Sequence, residues 1–113
     1  MENGKTVEEK MTAVYLMVRL EELTPGDNGS YEGPLAKQKE ECLQFLNTVV
    51  GEESAKPIEI YTSITQMLID VERGRIKQVV VREKNRLGAT PEDVEGVLFE
   101  LRSGDIPVLA VME

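Results

Sequence analysis

Four apolar runs alternate with three helical stretches along this chain, and that alternation narrows the fold more than any other feature of the sequence. Ala13-Val14-Tyr15-Leu16-Met17-Val18-Arg19-Leu20 is nearly continuous in apolar residues, the pattern of a strand covered on both faces rather than one. Pro57-Ile58-Glu59-Ile60-Tyr61 and Gln78-Val79-Val80-Val81-Arg82 read as two further strands, the latter rich in β-branched residues. Pro107 to Met112 reads as the last. Between them, Leu35, Cys42, Leu43, Leu46, Val49 and Val50 form a helical stripe that ends at Gly51. Ser63 with Gln66 makes a capping box for a second helix, which carries Ile64, Met67, Leu68 and Val71 on one face and stops at Gly74. The third helix opens at Thr90-Pro91-Glu92-Asp93, where a hydroxyl cap, a proline and two acids suit the positive end of the helix dipole. Val94, Val97, Leu98 and Leu101 carry its stripe as far as Gly104.

Such a βαβαβαβ order makes right-handed crossovers and a mainly parallel sheet between two helical layers, a three-layer αβα fold. Residues 1–12 are polar and read as a flexible lead-in to one domain over 13–113. Ligands of parallel sheets sit beyond the carboxyl ends of the strands. Here those ends lead into the Gly- and Pro-rich loop from Glu21 to Pro34, the turn at Thr62, and the segment from Glu83 to Thr90.

Charge and residue usage remove several function classes. Twenty-one acidic residues against 13 basic ones leave a net charge of −8, which repels phosphate backbones and argues against autonomous DNA binding. The absence of histidine excludes Ser-His and Cys-His catalysis and takes away the commonest transition-metal ligand. Cys42, the single cysteine, cannot form an internal disulfide, and with no apolar leader or membrane-length run the expected setting is the cytoplasm. Gly26, Gly29 and Gly33 match neither a P-loop nor a dinucleotide fingerprint, so no cofactor is expected. Glu21, Glu22, Asp27 and Glu32 match no EF-hand spacing and read as a solvated acidic loop. A phosphorylation receiver would need an aspartate after the third strand, where Arg82-Glu83 stands. Cys42, Met17 and Met67 read as packing residues.

The third strand and its sequel carry a resemblance. Val79-Val80-Val81 followed by Asn85-Arg86-Leu87-Gly88-Ala89 is similar to the valine-rich strand and Asp-Arg-Leu-Gly-Arg of the catalytic domain of serine recombinases, the resolvases and invertases. Met67 to Ile76 resembles the family's helix ending in Glu-x-Gly-Lys-Ile. Ala13-Val14-Tyr15 resembles its first strand, Gln38 and Cys42 its first helix, and Gly104-Asp105-Ile106-Pro107-Val108 its last helix-to-strand step. The resemblance spans residues 13–113 and implies a four-stranded sheet in the order 2-1-3-4, with the third helix on the opposite face from the first.

The departures bear on function. Where the family has Tyr-x-Arg-x-Ser, with the arginine on phosphate and the serine as nucleophile, this chain has Tyr15-Leu16-Met17-Val18-Arg19. The family's mobile loop with its arginine is reduced to Tyr61-Thr62-Ser63, and Asn85 and Ala89 stand for the aspartate and second arginine. The long helix and DNA-binding segment that follow in the family have no counterpart within the 113 residues, and both a stand-alone domain and a piece of a longer chain fit. Arg86 and Gln38 remain. Attack on a phosphodiester needs a nucleophile and several cations around its oxygens. The resemblance therefore implies a domain that has lost strand cleavage. It would act by binding a protein partner or a second copy of itself, or persist as a remnant of a mobile element.

Two other readings stay open on the sequence. One is an active recombinase with Ser63 or Ser30 as a displaced nucleophile; the other is an unrelated flavodoxin-like ligand-binding domain. The candidate anion-binding residues are Arg19, Arg86 and Gln38, with Arg82 and Lys84 nearby. Arg19 is expected at the end of a buried strand, close to Arg86. Two such cations repel unless an anion intervenes, so a carboxylate from Glu21, Glu22 or Glu83 is expected within salt-bridge distance of one of them.

Overall fold

The structure, a computed structural model, describes residues 9–113. Its centre is a four-stranded, all-parallel sheet in the order β2-β1-β3-β4, with β1 at Met11–Tyr15, β2 at Ile58–Tyr61, β3 at Ile76–Val81 and β4 at Val108–Ala110. The two most apolar runs occupy the two central positions. Ala13, Val14, Val79, Val80 and Val81 are completely buried, because a strand flanked by strands and covered by helices on both faces has no side exposed to water.

Helix α1 (Glu32–Phe45) covers one face of the sheet, with α2 (Glu52–Ala55), and α3 (Ile64–Glu72) and α4 (Pro91–Ser103) cover the other. Alternate residues of the central strands feed the two layers. Val14, Leu16 and Val80 pack with Cys42, Leu46 and Ala55, whereas Ala13, Tyr15, Val79 and Val81 pack with Met67, Val97 and Leu101. The αβα fold, the strand order and the opposite placement of the first and last long helices are thus as expected. Among the described residues no helix is long and apolar enough to cross a membrane.

Several boundaries differ from the sequence reading. Strand β1 starts at Met11 rather than Ala13: the Met11 amide donates to Arg75 O at 2.7 Å and the Thr12 amide to Pro57 O at 2.8 Å. Thr12 looks polar in sequence, yet it is fully buried and its hydroxyl accepts a hydrogen bond from Gln78 Nε2 at 2.8 Å. The first eight residues of the expected lead-in lie outside the described residues. The strand also ends early. The Leu16 amide donates to Tyr61 O at 2.8 Å, and beyond it Arg19 and Leu20 lie off the sheet, Leu20 in a short 3-10 turn at Leu20–Glu22 and 71 % exposed. Helix α1 begins three residues before Leu35, with Pro34 inside its first turn, where a missing N–H costs nothing because no intrahelical acceptor exists there. Its last turn widens into a π-turn at Leu46–Val50, closed by the Gly51 amide on Leu46 O at 2.8 Å. Gly51 takes φ of 96°, a conformation that only glycine adopts cheaply. The single-turn helix α2 shows no periodicity in sequence and was not expected.

Under the α3 layer, Tyr61 Oη donates to the buried Asp70 carboxylate at 2.5 Å, and Asp70 faces Arg75 at 3.8 Å. Burial, and then the Asp70 carboxylate, raise the Tyr61 phenol above its ordinary pKa, so it remains a donor throughout the working pH range. Tyr61→Phe leaves that carboxylate short of a donor, and urea unfolding should report a loss of about 1–3 kcal/mol. A separate close approach fixes the loop after β3 onto α4. A Cβ at Gly88 would lie 2.6 Å from Asp93 Cβ and 2.8 Å from the Val94 amide nitrogen, and the second of these is backbone that cannot swing away. Gly88→Ala is expected to destabilise the fold by about 1–3 kcal/mol, lowering the thermal midpoint by several degrees.

Candidate functional site

Three segments meet beyond the carboxyl ends of β1 and β3: the chain from Met17 to Glu22, the α1 residue Gln38, and the 3-10 turn at Lys84–Leu87. Where β1 stops, the Met17 backbone has no strand partner. Gln38, only 4 % exposed, supplies one: its Oε1 accepts the Met17 amide at 2.9 Å and its Nε2 donates to the Met17 carbonyl at 3.1 Å. Both main-chain groups are satisfied by a single side chain, which buried backbone requires.

Arg86 reaches the same carbonyl from the other side, Nη1 to Met17 O at 2.6 Å. Its side chain is 5 % exposed, and a buried cation needs counter-charges. Glu22 provides a two-pronged one, with Nη1 to Oε2 at 2.8 Å and Nη2 to Oε1 at 2.9 Å. Glu83 takes the remaining nitrogen, Nε to Oε1 at 2.9 Å. Every guanidinium nitrogen is therefore engaged within the chain. Burial by itself would lower the Arg86 pKa, and the hydrogen bonds to Glu22 and Glu83 more than offset it, so the group is held charged. In return the hydrogen bond from Arg86 holds the Glu22 carboxyl below its ordinary value, against partial desolvation.

Of the expected site residues, Arg86 and Gln38 are thus brought onto one atom, the Met17 oxygen. Arg19 is not on a buried strand as expected, because the ladder ends at Leu16. Its side chain is about one-third exposed and donates from Nη2 to Asn85 O at 2.9 Å, with Nη1 3.8 Å from Glu22. The expected intervening carboxylate is Glu22, supported by Glu83; among the described residues Glu21 makes no such pair. Arg82 is also paired, with Glu41 at 2.9 Å and Glu83 at 3.1 Å. Sequence reasoning missed Glu41, which lies on α1 and meets Arg82 only through the packing of that helix on the sheet.

Two clefts flank this knot. One, of about 500 Å³, lies between the Glu22–Asp27 loop, α1 and Arg86, with Lys37 and Arg82 on its wall. The other, of about 530 Å³, lies between Arg19, the Lys84–Asn85 segment and the start of α4, over the apolar surface of Pro91, Val94 and Leu98. Among the described residues, the only hydroxyls lining them are committed. Thr24 Oγ donates to Asp27 at 3.1 Å, and Thr90 Oγ caps α4 by accepting the Asp93 amide at 3.1 Å. Ser63 and Ser30 line neither cleft: Ser63 caps α3 by accepting the Gln66 amide at 3.2 Å, and Ser30 accepts the Glu32 amide at 3.2 Å. Cys42 is buried in the α1 layer, and burial pushes its thiol up to about 11, far from a reactive thiolate. Asp27 Oδ2 accepts both the amide and the hydroxyl of Thr24, at 2.8 and 3.1 Å. Among the described residues no cluster of three or more metal-ligating side chains occurs.

Comparison with family models, with curated proteins and with solved structures finds no match to this chain.

The Glu22–Arg86 pair also makes a pH prediction. The Glu22 carboxyl titrates lower in the folded chain than its ordinary value of 4.5. Its contribution to stability is therefore present above that value and is lost as the pH falls through the lowered one. Urea unfolding followed from pH 7 down to acid should show wild-type stability falling over that window. Glu22→Gln should lose about 1–3 kcal/mol at pH 7 and show a shallower acid decline.

Proposed function

We propose that this chain is a non-catalytic, serine-recombinase-like domain that works by binding a protein partner or a second copy of itself. Its ancestry in a DNA-recombination or mobile-element setting, and its place in the cytoplasm, belong to the same reading. The observation that carries it is the state of Arg86. That arginine stands at the one phosphate-binding position of the resembled motif that survives, and its guanidinium is consumed by Glu22, Glu83 and the Met17 carbonyl.

Phosphoryl transfer needs an accessible cation cluster and a nucleophile aimed at phosphorus. Arg86 is buried and neutralised, Arg82 is tied to Glu41, and Met17 and Arg19 occupy the positions of the family's arginine and serine. Among the described residues, neither cleft presents an uncommitted hydroxyl or a thiol. The surplus of acidic residues works against holding DNA for long enough to react.

Incubation with supercoiled plasmid is the test. The expected result is no nicked or linear product, no protein–DNA adduct stable to denaturant, and affinity weaker than about 100 μM at physiological salt. Nicking that disappears in Ser63→Ala or Ser30→Ala would replace this reading with that of an active recombinase using a displaced nucleophile.

A further inference from the structure

Glu22 holds Arg86 from a weak perch. The turn Leu20–Glu22 that carries it has no buried residue and is closed by two backbone bonds, the Glu22 amide to Arg19 O at 3.0 Å and the Leu23 amide to Leu20 O at 3.1 Å, and by Glu22 Oε2 accepting the Arg19 amide at 3.1 Å. Beyond the turn itself, what ties it to the body is Glu22 on Arg86 and Arg19 Nη2 on Asn85 O at 2.9 Å. Arg86 is anchored independently, by Glu83 and by the Met17 carbonyl that Gln38 also holds. One partner of the pair is therefore rigidly placed while the other rides on a short exposed segment.

The same turn separates the two clefts, with Glu22 on the wall of one and Arg19 on the wall of the other. Glu22 is 31 % exposed, so a solute can reach its carboxylate from the first cleft. If Glu22 leaves, Nη1 and Nη2 of Arg86 face that cleft as an open fork. Lys37 stands on the same wall and has no hydrogen-bond or ion-pair partner among the described residues. A guanidinium fork accepts any anion that offers two oxygens at carboxylate spacing, and a tetrahedral oxyanion does so as well as a carboxylate.

From this we infer that Glu22 is an internal plug: it occupies an oxyanion-binding site built on Arg86, and an external oxyanion competes with it by displacing the Leu20–Glu22 turn. The site is closed in the resting chain and opens by exchange of one anion for another, which couples ligand binding to the position of the exposed Leu20. This goes beyond the non-catalytic reading and stands on the Glu22–Arg86 geometry alone.

The test uses inorganic phosphate as probe, followed by NMR shifts of the Met17 and Arg86 amides at constant ionic strength. Glu22→Gln keeps the side-chain shape and removes the competing charge. It should bind phosphate at least about tenfold more tightly than wild type, and Lys37→Ala in that background should weaken binding several-fold. In wild type, saturating phosphate should shift the Leu20 amide as well, reporting movement of the turn. Equal affinities in wild type and Glu22→Gln would overturn the plug. So would a Glu22→Gln chain that no longer unfolds cooperatively, since Glu22 would then be an indispensable counter-ion rather than an exchangeable one. The plasmid assay on the same variant keeps the two proposals apart. Tight phosphate binding without nicking supports both, and nicking by Glu22→Gln would overturn only the non-catalytic reading. Absence of both would overturn only the plug.

Discussion

A buried guanidinium organises the carboxyl end of the sheet in this protein. Arg86 lies beyond the carboxyl edge of the sheet, almost wholly removed from water, and an unpaired charge there would cost several kcal/mol. The chain around it is arranged to avoid that cost. Met17 turns its carbonyl to Nη1, Glu83 folds back onto Nε, and the Leu20–Glu22 turn brings a carboxylate squarely across the fork. Gln38 completes the arrangement by holding both main-chain groups of Met17, so α1, the exit of β1 and the loop after β3 are joined through one residue's backbone.

The same arrangement governs what the site can do chemically. In a protein with an excess of acidic residues and no histidine, the basic groups near the strand ends are mostly matched with carboxylates: Arg86 with Glu22 and Glu83, Arg82 with Glu41 and Glu83. Pairing of this kind weakens the positive potential beyond the strand ends. Beside these pairs lie two clefts of similar size separated by one short turn.

The arrangement also separates stable from labile parts. The sheet and its two helical layers rest on fully buried apolar residues such as Val14, Val80, Met67 and Leu101, supplemented by the Tyr61–Asp70 bond beneath α3. By contrast the Leu20–Glu22 turn has no fully buried residue, so its position depends more on the Glu22–Arg86 pair and the Arg19–Asn85 bond than on apolar packing. Segments with few buried contacts are those that open first, and here that segment carries the carboxylate that closes the site.

The sequence by itself determined the architecture. Continuous apolar runs require strands covered on both faces, capped stripes such as Ser63–Gln66 and Thr90–Asp93 require helices, and their alternation admits a parallel sheet. Local patterns fail where the decisive partner is remote in sequence. Thr12 reads as lead-in because its buried hydroxyl is satisfied by Gln78. Arg19 reads as strand because nothing in Ala13–Leu20 tells where neighbouring strands stop pairing. The need for an anion beside Arg19 and Arg86 was legible from charge alone, and three carboxylates were in reach. Only the tertiary structure decided that Glu22 fills the Arg86 fork, that Glu41 claims Arg82, and that Gln38 replaces a strand for Met17, because each contact joins segments that approach one another only after the sheet and its helices have packed.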